Sequence, residues 1–229
     1  MLHVFGYGSL TFSPELPDSL VTLRRARLVG WRRAFNKRSR SRSIPEASGF
    51  SGTGPVPPEF RRRGRRWSLT LGTVADPNGW IDGLVATYPA SEATRLLPLL
   101  DRREGFDPAG PGDLNGYVPT EVTVEVDDGR IPARAYLTNP AESCPWTLRP
   151  APDPASAAAL LIHATPRRRP PAGHPRAPGL DYLEGTRTSL HAIGVVDPHL
   201  EAVARAVRAE VGPWLERVAP PRDALPSER

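Results

Sequence analysis

Two short segments carry groups that could do chemistry. The first, Val4-Phe5-Gly6-Tyr7-Gly8-Ser9-Leu10, is an apolar run entering a Gly-X-Gly-Ser turn. Successive backbone N–H groups in such a concave turn form a nest for an anion or a carboxylate, and glycines let the ligand approach closely. Ser9 adds a hydroxyl. The second, Leu99-Leu100-Asp101-Arg102-Arg103-Glu104-Gly105, ends an apolar helical pattern with a carboxylate just before glycine. Burial in a helix-end wall raises a carboxyl pKa toward neutrality, which a proton-transfer group needs. Each segment also has a plain reading. Short glycine motifs are more often simple tight turns, and acidic side chains are mostly solvated. The loop is neither a P-loop, since no Gly-Lys-Ser/Thr follows, nor a dinucleotide fingerprint, since the third glycine is missing.

Other reactive residue types offer less. His3, His163, His174, His191 and His199 show no metal-ligand spacing, and His191 and His199 are expected on helix surfaces. Cys144 is the only cysteine, which excludes an internal disulfide framework or a thiolate cluster, and it is expected to be a passive thiol. The net charge of +5 and pI near 10 could suggest nucleic acid. Yet Lys37 is the only lysine, and 28 prolines accompany the arginines, a composition that suits GC-rich codon usage. The basic excess is local to residues 24–66, ending in Arg61-Arg62-Arg63-Gly64-Arg65-Arg66. Such a face suits an anionic small substrate as well as RNA. No stretch approaches the roughly 18 apolar residues that span a bilayer, and the N-terminus does not read as a signal peptide. A cytoplasmic protein with no membrane partner is expected.

The elements that must position these groups can be read from periodicity. Residues 2–5 predict a strand and residues 27–31 a second. Residues 38–66 predict a long loop or partly disordered insertion, and residues 166–179 another Pro/Arg loop. Alternation over residues 67–75 and 80–88, around Asp76-Pro77-Asn78-Gly79, predicts a hairpin. Ser91 is the expected N-cap of a helix through Leu96 and Leu100, with Pro98 threatening a kink. Residues 117–126 and 131–137 predict a second hairpin about Asp127-Asp128-Gly129. Residues 180–193 and 198–211 predict helices, the latter capped by Asp197 with Pro198 in its first turn. The class is α+β: a mixed, largely antiparallel curved sheet or small β-barrel with surrounding helices. One domain over residues 1–215 and a C-terminal tail over 216–229 are expected.

Tyr7-Gly8-Ser9-Leu10 resembles the signature loop of the γ-glutamylcyclotransferase superfamily in its ChaC-type spelling, and Leu100-Asp101-Arg102-Arg103-Glu104-Gly105 resembles the segment bearing that family's catalytic glutamate. Gly30-Trp31-Arg32-Arg33-Ala34-Phe35, Gly116-Tyr117-Val118, Arg134-Ala135-Tyr136-Leu137 and Gly179-Leu180-Asp181-Tyr182-Leu183 resemble further family stretches in order. The likeness spans residues 4–207. The loop lacks the asparagine of one branch, residues 106–115 form a longer loop, and residues 39–66 match poorly.

The resemblance implies release of 5-oxoproline from a γ-glutamyl amide, a lyase- or acyltransferase-type cyclisation, as in glutathione degradation. It implies Glu104 as general acid/base, with Tyr7, Gly8, Ser9, Leu10, Tyr117 and Tyr136 binding the substrate. Tyr117 and Tyr136 read equally as packing on a hairpin face. Arg32 and Arg33 could pair with a substrate carboxylate, but solvated charge is the expectation. No metal or organic cofactor is needed. The alternatives are a serine hydrolase using Ser9, which lacks a Gly-x-Ser-x-Gly elbow, and a non-catalytic RNA-binding protein, which lacks aromatic-studded strands.

Overall fold

The computed structural model describes residues 1–50, 56–167 and 178–218. Its strands are β1 (Leu2–Gly6), β2 (Thr22–Pro45), β3 (Arg61–Arg62), β4 (Arg65–Tyr88), β5 (Tyr117–Val126) and β6 (Gly129–Thr138). They run in the order β1-β6-β5-β2-β4-β3, and β1 also pairs with β4, so five strands close into a barrel with β3 outside it. Only β1–β6 is parallel; every other pairing is antiparallel. The helices are α1 (Ala93–Glu104), α2 (Pro154–His163), α3 (Pro178–Ala192) and α4 (Pro198–Val218). This is the expected α+β barrel with surrounding helices.

β2 and β4 pair along almost their full length, from Thr22↔Thr87 to Pro45↔Arg65. Two expectations change here. The hairpin predicted about Asp76–Gly79 is absent, because both halves pair with the same partner strand: Trp31 faces Ala75 and Val29 faces Trp80. The turn chemistry survives locally, since Asp76 Oδ1 accepts the Asn78 N–H at 3.1 Å. It produces a bulge in a continuing strand, not a reversal. The predicted loop at residues 38–66 also begins as strand, because β2 continues to Pro45. Arg61 and Arg62 then pair with Arg66 and Arg65 in a tight hairpin. Residues 51–55 of that predicted loop, and residues 168–177 of the later one, lie outside the described residues, as does the tail beyond Val218.

α1 is preceded by a short 3-10 turn (Ala90–Glu92), so Glu92 and not Ser91 stands at its N-cap, without a side-chain cap. The helix runs through Pro98. Leu96 and Leu100 are buried against Val4, Ala86, Tyr88, Tyr117 and Tyr136. Burying each leucine contributes about 1.5–3 kcal/mol, which together offsets the roughly 3 kcal/mol cost of an interior proline. The other helices pack into a second hydrophobic cluster, through Leu160, Leu161, Leu183, Val203 and Val207. α2 was not anticipated, although Asp153 caps it by accepting the Ala155 and Ser156 N–H groups, with Pro154 following. Asp197 caps α4 as expected, accepting the Leu200 N–H at 3.0 Å. No helix among the described residues is long and apolar enough to cross a membrane.

Candidate active site

β1 delivers the glycine loop to the barrel mouth. Gly6 ends the strand and Ser9–Thr11 form a 3-10 turn. Gly8 O accepts from the Thr11 N–H (2.9 Å) and hydroxyl (2.7 Å), and Ser9 O accepts from the Ser13 N–H at 3.0 Å. Tyr7 O accepts from Arg33 Nε at 3.0 Å. Arg33 is not the solvated cation anticipated: its side chain is 1% exposed and pairs with Asp197, and Nη2 donates to Asp82 O at 2.6 Å. It clamps the loop to β4 and to the start of α4. Arg32 is exposed, as expected.

α1 delivers Glu104 as its last residue. Gly105 follows at φ +70°, a left-handed position that a side chain would strain, and its N–H donates to Arg102 O. The Phe106 N–H donates to Asp101 O at 2.8 Å, closing the helix end. The Glu104 side chain is 14% exposed, 3.6 Å from Arg103 Nε. Burial pushes its carboxyl above the ordinary glutamate range; Arg103, then Lys37 and Arg42, pull it back without cancelling the rise, and Glu15 adds to it. The carbonyl end of the helix dipole also disfavours a carboxylate there. Arg103 in turn donates to Ser13 O at 2.6 Å and Glu15 Oε1 at 2.8 Å, tying Glu104 to the segment after the glycine loop.

These two deliveries meet. Tyr7, Gly8, Ser9, Leu10, Glu104, Tyr117 and Tyr136 all line one cavity of about 360 Å³. Tyr117 and Tyr136 form its walls and pack in the core at once. The Tyr117 hydroxyl donates to Leu71 O, and Tyr136 donates to Asp101 Oδ1 at 2.5 Å, one helical turn before Glu104. Tyr7 donates to Tyr136 O at 2.6 Å. Burial raises the pKa values of Tyr7 and Tyr117 well above the usual phenol range, so these hydroxyls are neutral donors.

The lining also includes groups that the sequence did not single out as site residues. Tyr182 reaches in from α3, its hydroxyl accepting the Leu71 N–H at 3.3 Å, its pKa pushed up to about 12 chiefly by burial. Lys37, Arg42 and Glu15 complete a charged rim. Tyr182 sits in the Gly179–Leu183 stretch, and Lys37 stands out as the lone lysine; Glu15 and Arg42 carry no sequence signal. The remaining predicted groups lie elsewhere. His191 is exposed beside Glu201, whereas His199 is half-buried: it packs on Phe35 and accepts its N–H at 3.2 Å. Cys144 is buried, hydrogen-bonding to Asn115 O. Among the described residues, no group of three or more His, Cys, Asp or Glu could hold a metal ion.

The closed barrel with surrounding helices matches the expected superfamily in fold. A sequence profile of the ChaC-like protein family matches residues 2–210. The chain belongs to the ChaC-like family, within the γ-glutamylcyclotransferase superfamily. No curated protein matches the chain in sequence. Among solved structures, a yeast γ-glutamyl cyclotransferase specific to glutathione is similar in its selenomethionine-labelled form, at 17% identity and a TM-score of 0.62, covering 91% of this chain and 96% of that one. A second structure of the yeast enzyme covers 91% and 98%, also at 17% identity, with a TM-score of 0.57. At that identity the likeness is one of fold.

Proposed function

We propose that this protein is a γ-glutamylcyclotransferase, releasing 5-oxoproline from a γ-glutamyl amide with Glu104 as the proton carrier. The observation that carries this reading is a carboxyl of raised pKa in the same cavity as the Gly8-Ser9-Leu10 turn. The substrate's α-ammonium gives a proton to Glu104. The freed amine attacks the γ-carbonyl, forming the ring C–N bond. Glu104 then returns that proton to the departing amine as the original amide bond breaks, and the second proton of the ring nitrogen passes through the same carboxyl to that amine, leaving a neutral lactam and an ammonium. One carboxyl suffices because nucleophile and electrophile share a molecule, and holding the folded conformer contributes several kcal/mol. N–H groups of the loop are the donors assigned to the glutamyl carboxylate or the oxyanion.

Glutathione is the first substrate to test, since the yeast structural neighbour is described as specific to it. A serine hydrolase is disfavoured because, among the described residues, the cavity lining includes no histidine to activate Ser9. An RNA-binding role is disfavoured because many arginines of residues 24–66 face acids: Arg24 with Asp128, Arg25 and Arg27 with Asp82, Arg61 with Glu46. The test is 5-oxoproline release from glutathione and γ-glutamyl dipeptides in the presence of a chelator. Wild type should turn over and Glu104→Gln should lose about 100-fold or more. Full turnover by a folded Glu104→Gln variant sinks the assignment.

A further inference from the structure

Lys37 is the single lysine in a chain with 30 Lys and Arg residues together. In a composition that makes arginine the default cation, a compact ammonium stands at the active cavity. An ammonium presents three rotatable donors on a slender stem, whereas guanidinium is a broad planar fork. The fold prepares its place. One extra residue on β2 between Ala34 and Lys37 shifts the register, so Ala34 faces Gly72 and Lys37 faces Thr70. That bulge reverses the alternation and turns Lys37 to the side of Thr70, which lines the same cavity. The backbone is held on its other edge too, where Lys37 bridges to Thr147 and the Arg38 N–H donates to Trp146 O at 2.8 Å. A methyl on Gly116 would stand 2.5 Å from Lys37 Cε, so the glycine makes room for the stem. The ammonium lies 4.2 Å above the Tyr117 ring.

Lys37 also lines a second cavity of about 570 Å³ that shares Ser39, Ser41, Arg103 and Glu104 with the first. Its remaining charged walls are Arg38 and Arg102. Glu104 is thus at the junction of a chamber lined by the glycine loop and a chamber whose other charged groups are cationic. The bond broken in the proposed reaction would lie at that junction, with the leaving half on the cationic side.

We propose that Lys37 is a specificity-determining residue whose ammonium pairs with a carboxylate on the leaving half of the substrate. The enzyme then favours γ-glutamyl peptides with a free C-terminal carboxylate over their C-terminal amides and over γ-glutamyl alkylamines. This rests on the cyclotransferase reading above.

The experiment compares those three substrates by 5-oxoproline release in wild type, Lys37→Met and Lys37→Arg. Wild type should prefer the free carboxylate in kcat/KM by about tenfold or more. Lys37→Met should bring peptide and peptide amide to near parity, and Lys37→Arg should keep part of the preference. Should Lys37→Met fold poorly, acylation of folded wild type neutralises the only side-chain amine; it should erase the preference, and the peptide should protect Lys37 better than its amide. A wild type without preference overturns the inference and leaves the reaction standing. So does an equal loss on all three substrates in Lys37→Met, which would put the ammonium on the shared glutamyl half. No 5-oxoproline from any substrate overturns the cyclotransferase reading, and the inference with it.

Discussion

The phenol oxygen of Tyr182 occupies the space that a side chain on Gly8 would fill. The glycine of the loop and the tyrosine of the late helix are thus two halves of one fit. A methyl at position 8 meets the hydroxyl, but the next Tyr182 atom, Cζ, lies at 3.5 Å, an ordinary contact. Gly8→Ala should therefore destabilise the wild type and cut turnover, and should cost less in a Tyr182→Phe background. A double-mutant cycle by chemical denaturation should give a coupling of about 1–3 kcal/mol. Equal cost in both backgrounds would contradict the fit.

Glu104 should weaken the fold at neutral pH. An unfolded glutamate ionises at about pH 4.3, while burial raises the folded value. Between those two values the folded state holds the extra proton, so stability falls as pH rises through the window and stays lower above it. Glu104→Gln has no proton to lose. Its stability relative to wild type should be greater at about pH 7.5 than at about pH 4. A pH-independent difference in denaturation free energy would speak against the buried carboxyl.

Arg103 is the strongest cation acting on Glu104. Arg103→Met removes that offset, so the acid limb of the kcat/KM profile should move to higher pH, with Arg103→Lys intermediate. An acid limb at the same pH with only a lower plateau would mean that Arg103 merely supports the Ser13–Glu15 segment.

Arg33 is nearly fully buried against Asp197, Tyr7 O and Asp82 O. Arg33→Met leaves Asp197 uncompensated and frees the loop, and should cost about 3–5 kcal/mol. Thermal denaturation with and without substrate is the measurement; a loss below about 1 kcal/mol, the range of a surface pair, would refute the clamp.

What the sequence disclosed follows the range of the forces involved. Tyr117–Val126 read correctly as strand because Val122, Val124 and Val126 alternate along it and pack on the core, and Glu104 could be placed at a helix end because Gly105 marks one. Asp76–Gly79 misled because turn propensity is local, whereas β2 pairs with both flanks across the sheet. Residues 38–45 hid their strand because Ile44 is the only large apolar side chain among alternating arginines and serines. Arg33 resembled any surface arginine until Asp197, 164 residues away, supplied its partner. Tyr182 could be seen as part of a familiar stretch, but its contact with the Gly8 position exists only in three dimensions.

The strand that carries the glycine loop is also the one that closes the barrel. β1 is flanked by β4 on one side and β6 on the other, pairing with Val85 and Ala135 through Phe5. β1 must therefore wait for a neighbour about 130 residues later in the chain, a long-range closure of the kind that slows folding. Tyr182 joins later still. A nascent chain that stops short of β6 has a loop without its second wall, and the cavity cannot exist before α3 supplies Tyr182. Catalytic competence then reports on barrel closure itself, and recovery of 5-oxoproline formation on refolding should follow the slowest structural phase.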